Sequence, residues 1–122
     1  MVTKKEIEKF FEPKKLAIVG VSRNKKKFGY LVFRDLKARG YEVCPVNPNT
    51  DRINGDSCYK SVKDLPPDIK SILILTPKKE TDNVLREAIN KGILNIWVQQ
   101  MSETRDTIKI AEEYQKEIIH KK

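Results

Sequence analysis

The segment GVSRNKKKFG, residues 20–29, holds the side chains best suited to bind an anion. Gly20 permits a tight turn and a close backbone approach. The Ser22 hydroxyl can donate a hydrogen bond, and Arg23 and Lys25 add positive charge. A helix that begins near Lys27 would add unpaired N–H groups and a partial positive charge. The segment predicts a phosphate-binding turn, called here the 20–29 turn; the alternative is a solvated basic loop between a strand and a helix.

Two common nucleotide-binding patterns are absent from the 20–29 turn. The dinucleotide fingerprint GxGxxG would need glycines at positions 22 and 25, where Ser22 and Lys25 stand. NAD binding also favours an acidic residue at the end of the second strand, but the sequence there is VNPN and Asp51 follows too late. The P-loop pattern GxxxxGK, followed by Ser or Thr, is missing as well. The residues therefore disfavour an ordinary NAD enzyme.

The elements that must position the turn follow from apolar periodicity. Short apolar runs predict buried strands at residues 16–19, 41–46, 71–75 and 94–98. An opening helix is expected between a capping box at residues 3–6 and Pro13. Further helices are predicted over residues 28–39, after Pro77 until Gly92, and from about Ser102 to the end of the chain. In the last helix, the residues expected to face inward are Ile108, Ala111, Tyr114 or Gln115, and Ile118.

Apolar strands separated by amphipathic helices predict a parallel sheet that is covered on both faces. The expected fold is α/β: an open, doubly wound sheet of about five strands in three α/β/α layers, with residues 1–122 forming one domain. In such sheets ligands bind outside the carboxyl ends of the strands. Besides the 20–29 turn, those ends carry Asn47-Pro48-Asn49-Thr50, Thr76-Pro77 and Gln99-Gln100.

Each of these polar ends has a structural alternative. Thr76-Pro77 either stops a strand or offers a flat apolar wall to a base. The amides of Gln99 and Gln100 either flank a helix or hydrogen-bond a ligand. Tyr30, one turn into its helix, either packs on a ligand or lies at the surface.

The composition limits the classes of partner and the cellular compartment that are expected for the chain. The net charge of +8, from 25 Lys and Arg against 17 Asp and Glu, fits nucleic acid, a phosphorylated small molecule or an acidic protein, and also a thermophile-type surface. Two cysteines and one histidine disfavour a zinc site or a Cys-His or Ser-His catalytic pair. No apolar run is long enough to span a bilayer and the first residues do not form a secretory signal, so the expected location is cytoplasmic.

Several segments in order resemble the small stand-alone CoA-binding domain family, which is similar to the N-terminal domain of the succinyl-CoA synthetase α subunit. The matching segments are IVGVSRNKKKFGYLVFRDLKARGYEVCPVNPN, DLPPDIKSILILTPKKETDNVLREAINKGI and IWVQQ, within about residues 14–115. The resemblance implies a Rossmann-like domain that binds coenzyme A and has no dehydrogenase chemistry.

The resemblance also implies a role for individual positions. The phosphate end of the ligand would be lined by Gly20, Val21, Ser22, Arg23, Asn24 and Lys25. Asn47, Pro48 and Thr50 would flank the adenosine, Thr76 and Pro77 would wall the cleft, and Val98, Gln99 and Gln100 would lie along its far edge. Coenzyme A carries a phosphate on its ribose, which an NAD-type carboxylate would repel. Arg23, Lys25 or Lys26 is the expected partner of that phosphate.

One departure concerns the chain end: family members usually have a further strand segment after the last helix, where this sequence reads EYQKEIIHKK. The function expected from the whole sequence is binding of coenzyme A or an acyl-CoA, with no catalysis by this chain alone. The alternatives are a nucleotide-cofactor oxidoreductase, a component of an acyl-CoA synthetase and, less favoured, a nucleic-acid binder. A homo-oligomer or a separate enzyme subunit remains open, and no membrane partner is expected.

Overall fold

The structure, a computed structural model, describes residues 4–120. The helices are α1 (Lys4–Phe11), α2 (Phe28–Ala38), α3 (Lys78–Lys91) and α4 (Thr107–Glu113), with 3-10 turns at Val62–Asp64 and Gln100–Ser102. The strands are β1 (Lys15–Val19), β2 (Glu42–Val46), β3 (Arg52–Ile53), β4 (Asp56–Ser57), β5 (Ser71–Ile74) and β6 (Asn95–Val98). The capping box predicted at residues 3–6 includes Thr3, which lies outside the described residues.

The main sheet has four parallel strands in the order β2-β1-β5-β6. In the centre of the sheet, Ala17 of β1 is paired with Cys44 of β2 on one side and Ile72 of β5 on the other. The chain moves outward from β1 to β2 and then in the opposite direction from β5 to β6, so the strand order reverses between β1 and β5. The α/β fold class is confirmed, with four ladder strands where about five were predicted.

Apolar side chains cover both faces of the sheet, as its continuous apolar strands require. One face packs Val19, Ile74 and Val98 against α3, where Leu85 and Ala88 are fully buried. The opposite face packs Leu16, Ile18 and Leu73 beneath Phe10 of α1 and Phe33 of α2. Because side chains alternate along each strand, neighbouring residues belong to different faces.

The last helix differs from the prediction, which extended it from Ser102 to the chain end. Helix α4 ends at Glu113, Gln115 follows with a φ of 54°, and the chain then returns to the sheet. There Ile119 forms a parallel bridge with Trp97: its N–H donates to the Ile96 carbonyl and its carbonyl accepts from Val98. The chain end, where the sequence was expected to depart from the family's further strand segment, therefore adds a single-residue bridge at the edge of β6.

The inward face predicted for this helix also changes. Ile110 and Ala111 are buried, whereas both alternatives expected to face inward are exposed, Tyr114 by 41% and Gln115 as well. The shorter helix presents Thr107, Ile110 and Ala111 to the core, at the spacing of one helical face.

Residues 52–57 form a β-hairpin, an element that apolar periodicity did not predict. Its two central residues, Asn54 and Gly55, have φ values of 52° and 83°, as a type I′ turn requires. The Asn54 side-chain amide donates to the Tyr30 hydroxyl, which ties the hairpin to α2. The Asn-Gly pair was the available signal for this element.

Between residues 4 and 120, no helix is long and apolar enough to cross a membrane. The same residues contain no group of three or more His, Cys, Asp or Glu side chains that could hold a metal ion.

Candidate functional site

The 20–29 turn is held between β5 and α2 by two close backbone approaches. Gly20 has a φ of 103°, and a Cβ added there would lie 2.7 Å from the Leu75 carbonyl oxygen. A Cβ added at Gly29 would lie 2.3 Å from the carbonyl oxygen of Gly20. Glycine at both positions therefore lets the first turn of α2 press directly against the loop that leaves β1.

Side chains within the turn set the path of its own backbone. The Ser22 hydroxyl accepts a hydrogen bond from the Asn24 N–H at 3.0 Å, and the Asn24 side-chain oxygen accepts from the Lys26 N–H at 3.0 Å. The Ser22 hydroxyl keeps its proton free to donate to a ligand. Val21 is fully buried, and its backbone carbonyl accepts a hydrogen bond from the Asn47 side chain.

The basic side chains of the turn are exposed and unneutralised. Within the described part of the chain, none of Arg23, Lys25, Lys26 and Lys27 forms an ion pair, whereas Lys15 lies near Glu42 and Asp68. Helix α2 begins with no side-chain cap on its N-terminal N–H groups and no acidic residue in its first turn. The turn thus combines positive charge with free backbone donors, the combination that favours a phosphate.

Asn47 connects the end of β2 to the 20–29 turn. Its side-chain amide donates to the Val21 carbonyl at 2.7 Å, and its side-chain oxygen accepts from the Asn49 N–H at 2.8 Å. Thr50 instead shapes the hairpin, since its hydroxyl donates to the Arg52 carbonyl at 2.9 Å. Asn47 is therefore a positioning residue for two loops at once.

The end of β5 supplies a buried hydroxyl pair. The Thr76 and Thr81 hydroxyl oxygens lie 2.7 Å apart, and both side chains are almost completely buried. Exposed Pro77 follows as the residue that precedes α3. This pairing fixes the start of α3 relative to the sheet.

These strand ends enclose a cleft of about 350 Å³ on the α3 face, called here the carboxyl-edge cleft. It lies where the strand order reverses, the usual ligand position in an open α/β sheet. Predicted site residues that line it are Gly20, Asn47, Pro48, Thr76 and Pro77. Asn49, which belongs to the predicted strand end after β2, lines it as well, and the lining residues that were not predicted are Val19, Val46, Lys60, Ser61, Val62, Glu80, Val84 and Glu87.

The missed residues had partial signals in the sequence. Glu80, Val84 and Glu87 are spaced as one face of a helix, and this face begins just after Pro77. Lys60 and Ser61 gave no local signal; they reach the cleft because Tyr59 forms a parallel bridge with Val46.

The remaining predicted residues do not line the carboxyl-edge cleft. Val98 is fully buried in the core, and Tyr30 of α2 is buried beside Phe33, with its hydroxyl bonded to Asn54 of the hairpin. The Gln99 side chain accepts from the Met101 N–H at 2.8 Å, and Gln100 is exposed in the 3-10 turn. Gln99 lines a separate groove on the opposite face of the sheet.

The cysteines and the histidine lie outside this cleft. Burial raises the pKa of the Cys44 and Cys58 thiols, which lowers their thiolate fraction at neutral pH. His120 lies half-buried with Nδ1 3.3 Å from the Glu103 carboxylate. Neither thiol is therefore an activated nucleophile.

Comparison with known proteins agrees with this geometry. The chain is 36% identical over 118 residues to the acetate–CoA ligase (ADP-forming) II subunit alpha of Pyrococcus furiosus, covering 94% of this chain and 26% of that protein. A hypothetical protein from Pyrococcus horikoshii OT3 superposes with a TM-score of 0.87 at 31% identity, covering 98% of this chain and 84% of that chain. A conserved hypothetical protein from Pyrococcus furiosus gives a TM-score of 0.84 at 37% identity, covering 88% and 93%.

The chain spans about a quarter of the length of that ligase subunit. It spans a smaller share of two other ADP-forming acetate–CoA ligases that it matches. The CoA binding domain family matches residues 14–122, nearly the whole chain, and the resemblance found in the sequence is confirmed. This chain belongs to the CoA binding domain family.

Proposed function

We propose that the chain binds coenzyme A along the carboxyl edge of its sheet. The main support is one juxtaposition: the carboxyl-edge cleft adjoins a turn with four exposed basic residues that have no ion-pair partner in the described part of the chain. Because the chain belongs to the CoA binding domain family, we favour coenzyme A, which is anionic and contains adenosine, over other phosphorylated molecules.

The charges around the edge favour one orientation of the ligand. Glu80 and Glu87 of α3 line the cleft, where they would accept hydrogen bonds from an adenine amino group and repel a phosphate. The basic 20–29 turn lies on the other side of Gly20 and attracts phosphates. We therefore expect the base in the cleft beside Pro48 and Pro77, with the phosphates at the turn and Arg23, Lys25 or Lys26 beside the ribose phosphate.

Calorimetric titration with coenzyme A, 3′-dephospho-coenzyme A and NAD tests this proposal. Coenzyme A should bind most tightly, and removal of the ribose phosphate should weaken binding about tenfold or more, the loss expected for one charge-assisted hydrogen bond. Tighter binding of NAD than of coenzyme A would contradict the proposal. Equal binding of any oligonucleotide, with a steep salt dependence, would favour the nucleic-acid alternative.

A matched pair of arginine variants tests the position of the phosphates. Arg23→Ala should weaken coenzyme A binding about tenfold. Arg86→Ala removes another exposed arginine, on α3, that does not line the cleft, so the affinity of this variant should stay near that of the unchanged protein. Equal affinities for the two variants would remove Arg23 from the site.

A second proposal is that the chain serves as the CoA-holding part of an acyl-CoA synthetase. Its support is the 36% identity to a ligase subunit of which the chain spans 26%. On this proposal the isolated chain binds coenzyme A but does not form acetyl-CoA from acetate, ATP and coenzyme A. Turnover by the purified chain alone would contradict it.

A further inference from the structure

An apolar groove runs along the face of the sheet opposite the carboxyl-edge cleft. It lies between α2 and the β5–β6 half of the sheet and encloses about 350 Å³. Six of its apolar lining side chains define the α2 groove: Phe28, Val32, Leu36, Leu73, Leu75 and Trp97.

Several side chains that line the α2 groove are more exposed to solvent than core side chains normally are. Phe28 is 58% exposed, and Val32, Leu75 and Trp97 are only partly buried. Helix α1 covers only part of this face, where Phe10 and Phe11 pack edge-on against Trp97. Exposed apolar side chains gathered in one concave groove are typical of the lining of a small-molecule site.

The groove begins where the proposed phosphate site ends. Phe28, at its rim, is the first residue of α2 and belongs to the 20–29 turn. Leu75, on its floor, places its backbone carbonyl against Gly20, which lines the carboxyl-edge cleft. Thr76 and Leu75 are neighbours whose side chains face the cleft and the groove respectively, so both openings share one edge of the sheet.

We propose that the α2 groove receives the acyl chain of an acyl-CoA thioester; this inference rests on the proposed binding of coenzyme A. With the phosphates held at the 20–29 turn, the flexible pantetheine arm can cross the sheet edge and bring its thioester to Phe28. The apolar walls and the volume suit a hydrocarbon or aromatic acyl group. The ligand class is thus an acyl-CoA whose acyl group is larger than acetyl.

Charge disfavours a second copy of the chain as the occupant. A two-fold symmetric contact through the groove would bring the two basic 20–29 turns close together, because Phe28 belongs to both surfaces. Four unpaired cations from each copy would repel one another. The same cations attract the phosphates of an acyl-CoA, so they favour the small anionic ligand.

The test compares coenzyme A with acetyl-, butyryl-, hexanoyl- and octanoyl-CoA by calorimetry. Affinity should rise about fourfold for each methylene that enters the groove, until the groove is full. Trp97 is the single tryptophan, so its fluorescence should change with octanoyl-CoA more than with coenzyme A. Equal affinity across the series would overturn the acyl site while leaving the coenzyme A site intact.

Variants in the groove separate its role from that of the phosphate turn. Leu36→Ser makes the groove polar and Val32→Phe fills it, so each should lower the ratio of octanoyl-CoA to coenzyme A affinity at least tenfold. Leu94→Ser is the matched control, because Leu94 is 60% exposed before β6 and lies outside the groove. An unchanged ratio in both groove variants would overturn the proposal.

The same experiments distinguish the acyl site from a dimer contact and from a failure of the proposed coenzyme A site. Sedimentation that shows a dimer of the unchanged chain, and a monomer of Leu36→Ser, would assign the groove to a second copy and overturn the acyl site. Failure of every ligand in the series to bind would overturn the proposed function and this inference together. Binding of coenzyme A without a chain-length effect overturns the inference alone.

Discussion

Replacing Gly29 by alanine tests how closely α2 approaches the 20–29 turn. In an exposed helix this substitution normally stabilises a protein by about 1 kcal/mol, because alanine is the better helix former. Here the new Cβ would lie 2.3 Å from the Gly20 carbonyl oxygen, more than 1 Å inside ordinary contact, which begins near 3.4 Å. The obstacle is backbone, so no side-chain rotation can relieve it.

The two effects oppose each other and the clash should dominate. Overpacking of this kind costs about 1–3 kcal/mol, with the upper part of that range expected when backbone must move. After subtraction of the helix-propensity gain, we expect Gly29→Ala to lower the free energy of unfolding by about 1–2 kcal/mol. Displacement of the α2 N-terminus from Gly20 should also weaken coenzyme A binding.

Urea unfolding followed by circular dichroism measures the first effect, and calorimetry with coenzyme A measures the second. Gly40→Ala is the control just beyond the other end of α2: Gly40 has a φ of 94° and open space around its Cβ position. It should cost stability through backbone strain, about 1–2 kcal/mol, while leaving coenzyme A affinity unchanged. A Gly29→Ala protein as stable as the unchanged one, or more stable, would refute the reasoning.

Three further predictions concern single contacts. Asn47→Leu should lower the free energy of unfolding by about 1–3 kcal/mol, because the Val21 carbonyl and the Asn49 N–H lose their partner; a loss under 0.5 kcal/mol in urea would contradict this. At pH 8 the native Cys44 and Cys58 thiols should react with an aromatic disulfide reagent much more slowly than in urea, since burial raises their pKa; equal rates would show accessible thiolates. Ile119→Ala should cost about 2 kcal/mol because this side chain is 6% exposed, and an unchanged urea midpoint would mean that the chain end adds nothing to the sheet.

The spacing of apolar residues was sufficient to predict the main sheet, because its strands are apolar throughout and the helices that cover it are amphipathic. Each of the four ladder strands begins and ends within a residue or so of its predicted position. The last helix was placed wrongly because Ile118 and Ile119 continue an apolar pattern that suits either a helix or an edge segment. Helix α4 and the edge segment are separated by Gln115, which has a positive φ. A glutamine in the sequence does not indicate such a backbone conformation, so the end of the helix could not be predicted.

The sequence was sufficient to predict the site residues that lie at strand ends. It was not sufficient to predict which face of the sheet each side chain lies on. Strand ends gave Gly20, Asn47 and Thr76, all of which line the carboxyl-edge cleft. Gln99 follows a neighbouring strand end, but strand alternation turns its side chain to the other face, where it meets the α2 groove. Residues brought in by long-range pairing, such as Lys60, could not be found from local spacing.

The two single-residue bridges described above lie at opposite borders of the sheet and act alike. Tyr59 occupies the free side of β2 next to Pro45, a strand residue with no N–H to donate, and Ile119 occupies the free side of β6. Each covers hydrogen-bonding groups that another chain could otherwise pair with, so together they oppose the edge-to-edge association that leads to aggregation. During synthesis the β6 border stays open until Ile119 has emerged, and a nascent chain halted before that residue is correspondingly exposed to misassembly.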